Sequence, residues 1–509
     1  MEFSQIFGGL AQVFEPASLL FLFAGYFVGI IFGAMPGLTS TLAIALLLPM
    51  TYSMPITQAL IMCMGVYMAG IYSGCITAIT INIPGTPGAV MTSIEGHEMM
   101  KRGQGAKAIG HATIASAIGG TIGAILLIFL SPVAVKLALL VRTPGKFSLV
   151  LFAFVVMIMI SNDKRKAMVT MAFGLVCATI GVDKLKAVSR FTFGMTQLIE
   201  GMDVTTLIVG CFAFSEILSQ SLVNNTEYKA MAEAASAHNF KRRDFFPALS
   251  EIKEIGVMTF VRSTIMGFFI GVLPGAGASM ASFVSYAAAQ SSSKNPEKFG
   301  TGYPTGIAAP ECANNAVCGG ALVPMLTLGI PGDGTTAVLL GVFLVYGIVP
   351  GPTLLTTRMA DLAPMYWALL LSAAVLLPLS LWIFGPYYIK IVKINRLILY
   401  SAISLIAILG VYSATASTFQ MGIALFVGIL MYFLKQNGYP AVPFILGVIL
   451  GPLCEQYLRT TITLGQGDLT VFFTELDSLF FLVLTVVFAF LLPRLNKKSD
   501  NAANDMAKK

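Results

Sequence analysis

Apolar positions in this chain come in long unbroken runs. They lie near residues 16–34, 57–83, 107–131, 147–160, 167–182, 203–218, 256–273, 307–329, 333–349, 362–384, 397–415, 417–434 and 469–492. Most reach, or nearly reach, the length a helix needs to cross the hydrocarbon core, about 20 residues with about 17–25 tolerated. Strands of a membrane barrel would alternate apolar and polar residues with period two, and these runs do not. The pattern predicts an all-α polytopic integral membrane protein of roughly 12 transmembrane segments.

Some runs are broken where a lipid-facing helix would be continuous. "GIIFGAMPGLTST" (29–41) lines up with "GFFIGVLPGAGAS" (267–279), and "TINIPGTPGAV" (80–90) with "TLGIPGDGTTAV" (327–338). The Pro-Gly pairs of the two motifs are 48 residues apart in the first half and 57 in the second, and "SSSKNPEKFGTGYPT" (291–305) accounts for the difference as a loop insertion. Two motifs repeated in one order predict two pseudo-symmetric, inverted repeats with re-entrant or broken helices. The expected division is an N-terminal transmembrane repeat over 1–218, a polar connector over 219–255, a C-terminal repeat over 256–493 and a polar cytoplasmic tail over 494–509. The connector carries five Lys/Arg and five Asp/Glu, with room for an amphipathic helix.

Proline removes an N–H and disfavours helix at the preceding residue, while glycine admits positive φ. A Pro-Gly break therefore leaves backbone polar groups unpaired. In hydrocarbon this is tolerated only inside protein or beside a watery cavity. Paired breaks in two halves point to a transporter site, where helix N-termini attract anions and freed carbonyls and hydroxyls hold cations. This reading makes Pro36, Gly37, Thr39, Ser40 and Thr41 candidates in the first motif, with Pro274, Gly275, Gly277 and Ser279 in its counterpart. In the second motif the candidates are Asn82, Pro84, Gly85, Thr86 and Gly88, with Pro331, Gly332, Asp333, Gly334, Thr335 and Thr336 opposite them. Glu311, Asn314 and Asn315 join them as ionisable or amide groups inside an apolar run. The plainer alternatives are helix capping for the hydroxyls, helix-to-helix hydrogen bonding for the amides, and close helix packing for the Gly29/Gly33 and Gly267/Gly271 pairs.

Composition supports the membrane reading. Of 509 residues, 56% are hydrophobic and 11% charged, with mean hydropathy +0.83; soluble domains carry about 25% charge. The net charge of +7 is the surplus expected of cytoplasmic loops. No basic face for nucleic acid exists beyond the tail. The start "MEFSQIFGGLAQVFEPASLL" has no basic n-region and reads as an anchor with its N-terminus outside. The tail "PRLNKKSDNAANDMAKK" reads as disordered. The basic segments "NDKRKA" (162–167) and "DKLKAVSR" (183–190) flank one short run and cannot both be cytoplasmic if that run crosses the membrane. The charged stretch 85–112 reads as a solvated loop, or as a docking surface or an anion-attracting vestibule, and Tyr366 and Trp367 as interfacial belt residues. The seven cysteines read as small hydrophobes, and no Cys/His spacing suggests a metal site beyond a Na⁺ among the candidate residues. No P-loop, HExxH or GxSxG appears, so the chain reads as no enzyme.

The segments "GAMPGLTSTLAIALLLP", "GIYSGCITAITINIPGTPGAVMTSIEGHEMMKRGQGAKAIG", "GVLPGAGASMASF" and "APECANNAVCGGALVPMLTLGIPGDGTTAVLLG" resemble TctA, the large membrane subunit of bacterial tripartite tricarboxylate transporters. The resemblance runs over roughly 10–495. It implies a permease importing citrate-like or related carboxylates by secondary active symport with Na⁺ or H⁺. It also implies a small four-helix TctB-like membrane subunit, a periplasmic TctC-like solute-binding protein and residence in the bacterial inner membrane. Alternating access is expected around 36–41, 82–88, 274–279 and 331–336, with an elevator-like shift conceivable. The competing readings are a passive carboxylate channel and a scaffold subunit.

Overall fold

The computed structural model of the chain describes residues 3–183, 186–221, 240–351, 354–394 and 396–507, together with 231 and 233. Most of the polar connector between 222 and 239 lies outside the described residues, and with it the expected amphipathic helix. The described residues are overwhelmingly helical; their only strands form one antiparallel pair, Gly181–Val182 (β1) with Ser189–Arg190 (β2).

In chain order the helices are α1 (Phe3–Val13), α2 (Pro16–Ala34), α3 (Ser40–Thr51), α4 (Ile56–Ile81), α5 (Val90–Lys101), α6 (Gly105–Leu139), α7 (Thr143–Ile160), α8 (Lys164–Ala178) and α9 (Val204–Ser221). α10 (Leu249–Ile255) closes the connector, and after it come α11 (Val257–Val272), α12 (Gly277–Ser291), α13 (Pro304–Leu328), α14 (Gly334–Val345), α15 (Met359–Ile391), α16 (Arg396–Thr415), α17 (Thr418–Gln436), α18 (Ala441–Leu464) and α19 (Leu476–Ala507).

Nine helices among the described residues are long and apolar enough to cross a membrane, or ten if the pair around Gly256, bent by 91°, counts as one. The runs behind the larger expected number have identifiable structures. α13 is 25 residues long but carries Glu311, Asn314 and Asn315 and is buried throughout its middle. α3 and α14 have 12 residues each, about 18 Å at ~1.5 Å per residue, against a core of about 30 Å. α8 has 15 residues, about 22 Å, so the run between the two basic segments is shorter than a full crossing. It packs on α18, which no long apolar run announced because Pro443, Pro452, Glu455 and Arg459 interrupt it. Salt bridges from Arg190 to Glu455 (2.7 Å) and from Arg459 to Asp183 (2.8 Å) pin the β1–β2 hairpin to α18.

Helices approach closely along glycine seams. An added Cβ on Gly25 would stand 2.2 Å from the Met62 carbonyl oxygen, and one on Gly33 2.1 Å from that of Gly70, so α2 lies directly on α4. α11 lies on α13 in the same manner, with Gly267 2.2 Å from the Ala313 oxygen and Gly271 2.9 Å from that of Val317. A third seam, Gly119 against Cys312 and Gly319 against Gly123, joins α6 to α13. Small residues substitute here for the hydrophobic drive that helices lack in lipid.

Three expectations are corrected. Residues 90–101, read as part of a solvated loop, form α5, and α6 begins at Gly105. Tyr366 is fully buried inside the protein and so is not a belt residue, while its neighbour Trp367 is half-buried and donates to the Ile6 carbonyl (2.7 Å). Helix continues to Ala507, where composition suggested disorder; no glycine or proline after Pro493 stops it. Cys63, Cys75, Cys177, Cys211, Cys312 and Cys318 are buried and free.

Candidate functional site

Each Pro-Gly motif ends one helix and starts another. Pro36 and Gly37 (φ +88°) separate α2 from α3; Pro274 and Gly275 (φ +78°) separate α11 from α12. The IPG motifs do the same after α4 and α13. Asn82 ends α4 in the left-handed region (φ +57°), and Gly329 ends α13 at φ +72°. The next helices begin at Thr86 and Asp333, both extended N-caps. The glycine of each IPG rests on the Gly of the other motif in its own half: Gly85 would place a Cβ 2.1 Å from the Gly33 oxygen, and Gly332 one 2.4 Å from the Gly271 oxygen.

The breaks meet across the halves. Thr335, at the start of α14, hydrogen-bonds Ser40 (3.0 Å) and Thr41 (2.9 Å) at the start of α3. Ser282 of α12 donates to the Gly88 carbonyl (2.6 Å), and Gly88 packs on Ala278 and Asn314. Within the second half, the Gly275 amide donates to the Gly332 carbonyl (2.8 Å), and Gly277 faces Asp333. Tips of α3, α12 and α14 and of the turn leading into α5 are therefore gathered in one region.

Two buried carboxylates, Asp333 and Glu311, stand beside it, and a third, Glu95, is buried further along α5 against the segment 300–306. Asp333 Oδ1 accepts from the Thr336 amide and hydroxyl (2.8 Å each), and Oδ2 from the Tyr67 hydroxyl (2.6 Å). Glu311 accepts from Thr92 (2.5 Å) and Ser116 (3.0 Å). Glu95 is fully buried and accepts from Tyr286 (2.8 Å) and from the amides of Gly300 (2.5 Å), Gly302 (2.7 Å) and Tyr303 (2.8 Å). Among the described residues no ion pair includes any of the three. Such groups need full pairing, because an unmet buried charge is costly. The side-chain oxygens of Asn314, Asn315, Thr77 and Thr86 are buried without a hydrogen-bond partner among the described residues. The chemistry is that of oxygen acceptors and helix N-termini, without a positive side chain.

Other candidates have local roles. Thr39 caps α3 by accepting from the Leu42 amide (3.2 Å). Asn82 is exposed, and capping accounts for it. Ser279 is exposed, Pro84 and Gly334 are half-buried, and Pro331 is buried. Gly37 abuts the Gln220 side chain of α9. Tyr67, Thr92, Ser116, Ser282 and Glu95 escaped sequence reasoning as site residues; a lone hydroxyl in an apolar run carries no signal of its partner. No group of three or more His, Cys, Asp or Glu able to hold a metal occurs among the described residues.

The sequence profile of the tripartite tricarboxylate transporter TctA family matches residues 19–446. The chain belongs to the TctA family. It is 33% identical over 499 residues, 97% of both chains, to an Agrobacterium vitis protein known as an uncharacterized 52.8 kDa protein in the TAR-I ttuC′ 3′ region. A second A. vitis protein, in the TAR-II ttuC′ 3′ region, is 38% identical over 240 residues, covering 46% of this chain and 97% of that protein. No solved structure matches. As a TctA-family chain with many apolar helices, the protein is a multi-pass membrane component of transporter type rather than of an enzyme family.

Proposed function

We propose that the chain is the large permease subunit of a binding-protein-dependent secondary transporter that imports tricarboxylates, citrate-like, or related carboxylates, driven by a Na⁺ or H⁺ gradient. The observation that carries this is the meeting of broken-helix N-termini from both halves beside Asp333 and Glu311. Helix N-termini suit carboxylate groups. Buried carboxylates and unpartnered amide and hydroxyl oxygens suit Na⁺, or a proton. The matched geometry of the two motif pairs supports an inverted repeat. The cross-half hydrogen bonds support a site between the two halves, where alternating access would act on it.

TctA-family subunits work in tripartite systems with TctB and TctC partners, so a small membrane subunit and a periplasmic binding protein complete the proposed machine in the bacterial inner membrane. The test is uptake of labelled citrate into cells expressing the chain with both partners. It is run with and without a Na⁺ or H⁺ gradient, and with unlabelled di- and tricarboxylates as competitors. Gradient-dependent uptake requiring the binding protein is expected. Uptake without gradient or binding protein would instead mark a passive channel.

A further inference from the structure

A groove of about 650 Å³ opens between α2 and α15, away from the site above. Phe23, Phe27 and Ile31 of α2 face Leu379, Ile383 and Tyr387 of α15 across it. Phe23, Phe27 and Tyr387 are about half exposed, so the groove opens on the lipid-facing side of the helices. Its floor holds Tyr26, Ser380 and Tyr388, whose polar atoms satisfy one another. Tyr26 and Ser380 share a hydrogen bond (2.8 Å), Tyr388 donates to Ser380 (2.6 Å), and Ser380 can donate to the Leu377 carbonyl (2.9 Å). The floor thus offers an occupant no unmet hydrogen bond, and the occupant's buried part must be apolar.

The groove has a charged end. The Lys390 ammonium lies 5.5 Å from the centroid of the Tyr387 ring, which forms part of the wall. Lys393, three residues on, is exposed. Neither lysine has a carboxylate at ion-pair distance among the described residues. Along α15 the lining runs from Leu376 to Ile391, with Ile394 just beyond, about 22 Å at ~1.5 Å per residue, and along α2 from Phe23 to Ile31, about 12 Å. Half of the hydrocarbon core is about 15 Å. A partner's spanning helix would need a groove about twice that length.

We propose that this groove binds one acyl chain of an anionic phospholipid, with the lipid phosphate held by Lys390 and Lys393. The α2 wall is about one leaflet deep and neither wall reaches the full depth of the hydrocarbon core, the volume falls within the roughly 300–1,000 Å³ of ordinary ligand sites, and the two lysines give the groove a basic end for a headgroup.

The experiment uses the full chain, purified into a delipidating detergent and titrated with dioleoyl phosphatidylglycerol or dioleoyl phosphatidylcholine, with binding read by native mass spectrometry. Wild type should bind phosphatidylglycerol more tightly. Lys390→Gln with Lys393→Gln should weaken phosphatidylglycerol by roughly thirtyfold, about fivefold for each lysine, and leave phosphatidylcholine unchanged. Ile383→Trp, which fills the groove from its half-buried wall, should weaken both. Equal binding of the two lipids in wild type, or no effect of either variant, overturns the proposal. So does photo-crosslinking from position 384 in cells that captures a membrane protein in place of lipid.

Discussion

Asp333 stands at two jobs, and substitution can separate them. Its carboxylate caps α14 through Thr336 and accepts from Tyr67, while its charge is available to a cation. Asp333→Ala removes the cap, which costs about 1 kcal/mol. It also leaves the Tyr67 hydroxyl buried without its acceptor, which costs about 1–3 kcal/mol more. The total, about 2–4 kcal/mol, is a large share of a marginal stability. Asp333→Asn keeps the cap, since asparagine caps about as well as aspartate, and its amide can donate to the Tyr67 hydroxyl oxygen, so that the reversed bond leaves only the Tyr67 proton without an acceptor. Its cost should be about 1 kcal/mol or less. The expected result is that Ala lowers the melting temperature of the purified chain well below that of Asn, while both abolish gradient-driven uptake. An Asn variant that still couples uptake to the gradient would refute use of the charge. An Ala variant as stable as wild type would refute the account of the cap and Tyr67.

Glu95→Ala should release the segment around 300–303, because three backbone amides and Tyr286 lose their acceptor; hydrogen exchange there should rise, and an unchanged rate would contradict the contact. Gly33→Ala should block folding, since its Cβ would lie 2.1 Å from a backbone oxygen, whereas Gly8→Ala meets nothing; membrane yield of the two variants decides the point. Asn82→Gly should be close to neutral, as glycine serves the equivalent C-cap at 329, while Asn82→Ile should cost about 1–2 kcal/mol through its left-handed backbone; thermal melts in detergent compare them.

The breaks were legible because proline and glycine act locally: the ends of α2, α4, α11 and α13 fall beside their Pro-Gly pairs. Gly29, Gly33, Gly267 and Gly271 were legible as packing residues for a similar reason, since spacing alone puts each pair on one helix face. What joins the breaks was not. The Thr335 bridge to Ser40 spans 295 residues, and the Tyr67 bond to Asp333 spans 266. Glu95 misled most. A window of Glu, His, Glu, Lys and Arg reads as solvated, and the donors that permit its burial lie 205 to 208 residues further on. Charge density signals water only when no distant backbone replaces it.

The gathered helix tips have a consequence for the order of loading. Asp333 and Glu311 are held by hydroxyls and a backbone amide, which are neutral dipoles and leave the carboxylates without counter-charge. A multivalent anion arriving alone would meet repulsion in a low-dielectric setting where like charges interact strongly. On the proposed function, the cation becomes part of the surface the anion recognises, and it enters first. Thermodynamic coupling would then follow from electroneutrality, with no separate gate required to enforce it.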